Sequence, residues 1–245
     1  MFVSLLSVSE FVLSSELEML GVAAGSIVYS SEEDGCPEPS RTMKGMTRKK
    51  TQTLRSAYER LEAQAQRLGA AGVVGVRVTH RQLEQHLWEY TAQGTAVKRC
   101  GTPPGNRPFT CTLSVQEYSA LARAGYRPLG VAFGVHVYFQ KFHERVRDKI
   151  HSNSVMKAGG QNAERSDYTR GIYVARKHAM TALEAEAVSV QAEGVLGITA
   201  SIERRLEFDG RTSRGMLTKF TVAGTAVAAM EERLPVVSHV VSLKD

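Results

Sequence analysis

The chain has 245 residues, of which 42% are hydrophobic and 23% charged, and a formal net charge of +6. This composition suits one or two folded domains and excludes disorder over most of the length. No apolar run approaches the roughly 18 residues of a membrane span, and the apolar start of the chain has no basic leader and is interrupted by Glu10. Three cysteines without a CxxC pair argue against a disulfide framework and a thiolate zinc site. We therefore expect a cytoplasmic protein.

An internal repeat runs through the sequence. Four blocks of the first half return in the same order in the second half, and the offset between copies grows from 107 to 130 residues: Leu6-Ser-Val-Ser-Glu-Phe11 returns as Leu113-Ser-Val-Gln-Glu-Tyr118, Leu20-Gly-Val-Ala-Ala-Gly25 as Leu129-Gly-Val-Ala-Phe-Gly134, Gly72-Val-Val-Gly-Val76 as Gly194-Val-Leu-Gly-Ile198, and Tyr90-Thr-Ala-Gln-Gly-Thr-Ala-Val97 as Phe220-Thr-Val-Ala-Gly-Thr-Ala-Val227. The repeat predicts a tandem duplication with longer connections in the second copy.

In the first copy, residues 20–29 read as an apolar strand, and a polar, loop-like stretch follows. Apolar residues at steps of three and four predict a helix over residues 51–68, with Gly69 as its C-cap. Two more strands are predicted at residues 73–80 and 88–97.

Residues 101–108 are rich in proline and glycine and predict a linker. It divides the chain into a first domain (1–100) and a second domain (109–232), with a C-terminal tail at 233–245.

The second copy repeats these elements, with strands at 129–139, 195–203 and 217–227, a helix over 172–192, and Gly194 at the predicted C-cap. An additional amphipathic helix is predicted over 139–150, where Phe139, Phe142, Val146 and Ile150 form one apolar stripe. Each copy thus reads β–α–β–β, and the predicted fold class is α+β: two repeated units, each a small antiparallel sheet with one long helix across it.

These blocks resemble the YbjQ family. The first copy carries the pattern at Ala57, Leu61, Ala65, Gly69 to Val76 and Gly94 to Val97; the second carries it at Ala179, Leu183, Ala187, Gly194 to Ile198 and Gly224 to Val227. The second copy departs from the family in having Ala192-Glu193 where the family has Gly-Ala. The resemblance implies a YbjQ or dodecin-like fold, a pentamer of β–α–β–β protomers and a heavy-metal-binding label without catalytic residues.

Recurring glycines in the strands and corners are expected to have structural roles, at bulges, tight corners or close backbone approaches: Gly72, Gly75, Gly94, Gly194, Gly197 and Gly224. Trp88 is expected to lie in the core or at a subunit contact rather than to stack on a ligand.

A candidate metal site lies at the turn between the second and third strands, where His80, Glu84 and His86 are close in sequence. Imidazole and carboxylate groups suit a divalent transition metal. The alternative is a solvated hairpin tip.

Basic residues concentrate between the first strand and the long helix of each copy and are expected to form a basic surface: Arg41, Lys44, Arg48, Lys49 and Lys50 in the first copy, and Lys141, Arg145, Arg147 and Lys149 in the second. Such a surface favours weak, nonspecific binding of an anionic partner. The alternative is a flexible, soluble loop.

No nucleophile or nucleotide-binding motif is present in the sequence, so an enzyme is not favoured. The sequence favours a non-enzymatic oligomeric binding or scaffold protein. The alternative is a metal- or small-ligand-binding protein with sites at subunit boundaries. Strands with successive apolar residues need burial on both faces and at their edges, which predicts a closed homo-oligomer. The resemblance to the YbjQ family makes five the preferred number of chains, and two stacked pentameric layers are preferred over one ring of ten alternating units.

Overall fold

The computed structural model describes residues 17–30, 39–84, 87–99, 107–141, 166–209 and 212–230. Unit one comprises β1 (Leu17–Ser30), α1 (Pro39–Arg67), β2 (Gly72–Glu84) and β3 (Leu87–Arg99). A connecting segment follows with β4 (Phe109–Thr110) and α2 (Val115–Arg123). Unit two comprises β5 (Tyr126–Lys141), α3 (Ser166–Ser189), β6 (Gly194–Asp209) and β7 (Thr212–Ala229).

The two units have the same sheet topology. The strand order is β1-β3-β2 in unit one and β5-β7-β6 in unit two, and all of these pairs are antiparallel. The register also repeats, since Val74 faces Thr95 in unit one and Leu196 faces Thr225 in unit two. The prediction of an α+β fold built from two β–α–β–β units is confirmed. In the part of the chain that the structure describes, no helix is long and apolar enough to cross a membrane.

In each unit the long helix approaches the first strand at a glycine. A Cβ atom at Gly25 would overlap the backbone of α1 at Ala57, and one at Gly134 would overlap the backbone of α3 at Ala179. Both contacts require a residue without a side chain. The matched glycines therefore allow the same kind of close approach between helix and sheet in both units.

The second strand of each unit contains a bulge at a glycine. Gly75 has φ of 62° and Gly197 has φ of 59°, and the pairing with the third strand shifts at both positions. This conformation favours glycine because it is strained for residues with a Cβ atom. Opposite each bulge stands a third-strand glycine, where a Cβ would lie 2.6 Å from Val73 (Gly94) or 2.7 Å from Val195 (Gly224).

Helix α1 begins at Pro39, so the predicted start at residue 51 and the predicted loop before it are wrong. Proline suits the first turn of a helix because its missing N–H has no partner there. Lysine, arginine and methionine then favour the helical state. The first basic segment is consequently helical.

The predicted C-cap at Gly194 is also wrong. Helix α3 ends at Ser189, and the residue in the left-handed conformation is Gln191, with φ of 56°. Ala192 N donates to Ala187 O at 3.0 Å, which matches Ala70 N to Ala65 O at 3.0 Å in unit one. Gln191 is therefore the counterpart of Gly69, and a capping role for glycine does not extend to the second unit.

Phe139 lies in β5 rather than at the start of a helix. Residues 142–150 of that predicted helix lie outside the described residues, as do residues 101–106 of the predicted linker.

The connecting segment is structured where it is described. β4 pairs in parallel with β2, with Phe109 opposite Gly72. Helix α2 begins with a capping box in which Ser114 and Glu117 bond reciprocally to each other's backbone N–H. The sequence Ser-x-x-Glu is the signal that could have predicted this helix.

The units share a core. Leu54, Tyr58 and Val76 of unit one form one cluster with Phe133 and Val135 of unit two, and the rings of Tyr58 and Phe133 stack at 5.4 Å. Helix α3 packs on the opposite face of its own sheet in a separate cluster. The side of unit one that carries α1 thus lies against the back of the second sheet.

Candidate functional site

A cleft of about 450 Å³ lies between the two units. We call it the inter-unit cleft. Its polar wall is formed by Lys50 from α1, His80 from β2, Tyr90 from β3 and Glu203 from β6. Residues that are more than 150 positions apart in sequence are brought together because unit two packs its sheet over α1 of unit one.

An ion pair between the units closes one side of the cleft. Lys50 Nζ donates to Glu203 Oε1 at 2.5 Å, and the two side chains are 6% and 26% exposed. His80 Nε2 lies 3.6 Å from the same carboxylate oxygen. Glu203 therefore faces two cationic or potentially cationic groups at once.

Burial and charge shift the pKa values of this pair. Burial lowers the pKa of Lys50, and the attraction of Glu203 offsets part of that effect. Burial alone would raise the pKa of Glu203, but Lys50, His80 and Lys219 together hold it below its usual value. The carboxylate is thus the stabilised anion of the cleft.

Aromatic rings form the floor beside the ion pair. The His80 ring stacks on Tyr90 with centroids 5.5 Å apart and lies 5.9 Å from Trp88. Lys50 Nζ lies 5.7 Å from the centre of the Tyr90 ring, within range of a cation–π contact. Burial, with contributions from Tyr29 and Glu203, raises the pKa of Tyr90, so its hydroxyl stays protonated.

Several hydroxyl groups complete the lining, and one of them has no partner. The buried Thr221 Oγ1 makes no hydrogen bond within the described residues, although Thr221 lines the cleft. An unpaired buried hydroxyl costs free energy unless a water or ligand satisfies it. Thr221 Oγ1 is also closed to solvent, so it is a polar group within the wall of the cleft and not an open contact for a ligand.

The predicted metal residues are placed only in part. His80 lies in the inter-unit cleft, whereas Glu84 is exposed at the end of β2, and His86 lies outside the described residues. Four residues of extended strand separate His80 from Glu84 by roughly 13 Å. In the ranges that the structure covers, no group of three or more His, Cys, Asp or Glu residues could hold a metal ion. The site stays a prediction.

The predicted basic surface loses one member, because Lys50 is buried in the inter-unit cleft. Lys44, Arg48, Lys49 and Lys141 are exposed. The side chain of Arg41 and residues Arg145, Arg147 and Lys149 lie outside the described part. The role of Glu203 has no local signal in the sequence, because its partner Lys50 belongs to the other unit.

Beyond the cleft, β6 exposes apolar side chains. Leu196 and Ile198 are 44% and 46% exposed, and Ile202 and Leu206 are exposed as well. Their counterparts at the first two positions, Val74 and Val76 on β2, are 0% and 3% exposed. In the described structure β6 pairs only with β7 and is an edge strand. We call these four residues the β6 apolar row.

Comparison with known proteins gives two matches. Residues 41–99 match the YbjQ_1 family, which is described as "Putative heavy-metal-binding". An encapsulin nanocompartment protein of Mycobacterium tuberculosis is 31% identical over 241 residues, covering 92% of this chain and 85% of that protein. No solved structure matches the chain.

Proposed function

The chain belongs to the YbjQ family, and from this premise we propose that it is a non-enzymatic oligomeric binding or scaffold protein. Identical chains join head to tail into a closed ring. The observation that carries the proposal is the β6 apolar row, whose members Leu196 and Ile198 are exposed on unit two at positions that are buried on unit one.

The contact between units within one chain provides the pattern for the contact between chains. Val76 is buried in the core cluster that contains Phe133 and Val135 of unit two. Ile198 occupies the equivalent position in unit two and is exposed. Since exposed apolar surface of this kind favours association, unit one of a second chain is the natural cover.

The partner surface is the back of the first sheet. The residues of β1 equivalent to Phe133 and Val135 are Ala24 and Ser26. Val28 lies two residues farther along the same face of β1 and is 51% exposed. The ion pair does not recur, because Ile172 and Arg81 occupy the positions equivalent to Lys50 and Glu203. The contact between chains therefore lacks the ion pair that joins the units within a chain.

Repetition of one head-to-tail contact gives either a closed ring or an open filament. A ring in which units one and two alternate follows from this contact more directly than two stacked layers do. The family resemblance makes five chains the preferred number. Because the related M. tuberculosis protein is named for an encapsulin nanocompartment, we also propose that the ring works with an encapsulin shell, which co-expression and co-elution with a shell protein would test.

Light scattering across a dilution series tests the role of the β6 apolar row. Ile198→Glu should lower the mass of the assembly towards that of one chain, because it places a charge in an apolar contact. Val188→Glu is the matched control: Val188 is also exposed on unit two, but its counterpart Gln66 stays exposed in the contact within the chain. Equal masses for the wild type and Ile198→Glu would contradict the proposed contact.

The inter-unit cleft favours a second candidate function, the binding of a metal or small ligand at a boundary between units. The cleft volume of about 450 Å³ and the partly exposed side chain of His80 support it. Metal analysis of the purified protein tests the metal version. A near-stoichiometric transition metal that is lost in the His80→Ala/His86→Ala variant would support it, and a metal-free protein that also takes up no Zn²⁺ in dialysis would contradict it.

A further inference from the structure

We propose that residues 2–11 of one chain bind along the outer edge of β6 of the preceding chain in the ring. This inference rests on the proposed oligomer and names the segment that completes its interface. Residues 2–11 themselves lie outside the described residues. The proposal depends on the surface of unit two and on the way in which the equivalent segment binds unit one.

The connecting segment shows how such a segment binds. Phe109 N donates to Ala71 O at 3.1 Å and Cys111 N to Val73 O at 2.8 Å. In return, Val76 N donates to Cys111 O at 2.9 Å and Gly75 N to Leu113 O at 2.9 Å. The outer edge of β2 is thereby paired, and Leu113 and Val115 pack in one cluster with Val74.

The aromatic ring of Phe109 packs on Gly72 and anchors this contact. A Cβ at Gly72 would overlap the ring of Phe109, so the ring lies directly on the glycine. The Phe109 ring also stacks on Tyr118 at 5.4 Å. At the equivalent Gly194, the nearest atom to an added Cβ is Val227 Cγ2 at 4.0 Å. Unit two thus has the same glycine with open space above it.

The first residues of the chain match the connecting segment at its anchoring positions. Phe2, Leu6, Val8 and Phe11 correspond to Phe109, Leu113, Val115 and Tyr118, and Ser7 and Glu10 correspond to the capping-box residues Ser114 and Glu117. The match thus includes an aromatic residue equivalent to the one that lies on Gly72, two apolar residues equivalent to those that pack at the edge of β2, and a capping-box pair. The sequence at the start of the chain is therefore suited to the edge of β6.

The connectivity indicates which chain supplies the segment. The connecting segment leads into unit two and binds the unit before it, which is unit one. Residues 2–11 lead into unit one, so by the same relation they bind the unit before unit one. In a head-to-tail ring that unit is unit two of another chain.

Two full-length variants, each defective at one end, test the inference by light scattering. Phe2→Asp/Leu6→Asp alters the segment, and Gly194→Leu fills the space above β6 where the structure has room for a side chain. Each variant alone should dissociate at a concentration at least about tenfold higher than the wild type, since a buried aromatic and a buried leucine are lost or displaced. Circular dichroism should show that both stay folded.

A mixture of the two variants should form a dimer that grows no further. The Gly194→Leu chain supplies an intact segment and the other chain an intact β6 edge, so one contact forms, with a mass of about twice the 26.8 kDa chain. Variants that keep the full wild-type mass, or a mixture without the dimer, would overturn the segment's role while leaving the oligomer in place. A wild type that is itself monomeric at every concentration would instead overturn the proposed function.

Discussion

Neutralising Glu203 should destabilise the contact between the units more than neutralising a member of an exposed ion pair does. Glu203→Gln leaves the Lys50 ammonium with 6% of its side chain exposed and without a carboxylate. Breaking a fully buried pair costs about 3–5 kcal/mol, whereas exposed pairs contribute about 0–1 kcal/mol. Because Glu203 is 26% exposed, we expect a loss of about 2–3 kcal/mol in the free energy of unfolding.

Urea denaturation followed by the fluorescence of Trp88, the one tryptophan of the chain, measures this loss close to the cleft. Glu186→Gln is the matched control, because Arg55 and Glu186 also join α1 to unit two at 2.9 Å, but with the arginine 49% exposed. That variant should lose no more than about 0.5 kcal/mol. Equal effects of the two substitutions would refute the reasoning that burial makes the Lys50–Glu203 pair the stronger contact.

A double-mutant cycle separates the pair from its surroundings. Lys50→Met leaves a partly exposed Glu203 that still faces His80 and Lys219, so it should cost less than Glu203→Gln. The double variant should cost less than the two single variants together, with a coupling of about 1–2 kcal/mol. A coupling near zero would show that the two charges stabilise the fold independently.

Further predictions concern pH, packing and the basic surface. The pKa of Glu203 is lowered in the folded state from its usual 4.5. The stabilisation that the Glu203 carboxylate gives to the folded state should therefore be present above pH 4.5 and be lost as the pH falls below that value. The urea midpoints at pH 7 and pH 3.5 should differ less in Glu203→Gln than in the wild type. Gly134→Ala should lower the free energy of unfolding by at least about 2 kcal/mol because its Cβ overlaps the backbone of α3. Gly194→Ala, where the space is open, should leave the unfolding midpoint of the dissociated chain nearly unchanged. Similar losses in both variants would contradict the role of the close approach at Gly134. Any binding of DNA should be weak and should fall steeply between 50 and 200 mM salt, by about one unit of logarithmic slope per phosphate contact; salt-independent binding would contradict a basic docking surface.

The sequence predicted each unit well because local patterns define it. Alternating and successive apolar residues located the strands, and the recurring Gly-Thr-Ala-Val blocks marked equivalent strands that do share one register. The start of α1 was missed because the residues before position 51 lack an apolar stripe typical of a helix on its own sheet; that part of α1 instead contacts the other unit, where Val137 N donates to Thr47 Oγ1 at 3.0 Å.

The candidate site was harder to predict because it depends on how the units pack. His80 was identified from its own neighbourhood, but the contact of its ring with Glu203 joins β2 to β6. Lys50 was assigned to a basic surface because nothing in its sequence context indicates burial. A repeat in sequence shows which elements are equivalent, but the contact between repeats is asymmetric and follows from side chains that differ between them, such as Glu203 and Arg81.

Native mass spectrometry of the full-length protein tests the central claim most directly, because it counts the chains in the assembly. A closed ring of five chains should give about 134 kDa, five times the 26.8 kDa chain, with no larger species as the concentration rises. A single species of 26.8 kDa at micromolar concentration, or a ladder of masses without an upper limit, would contradict the closed head-to-tail ring.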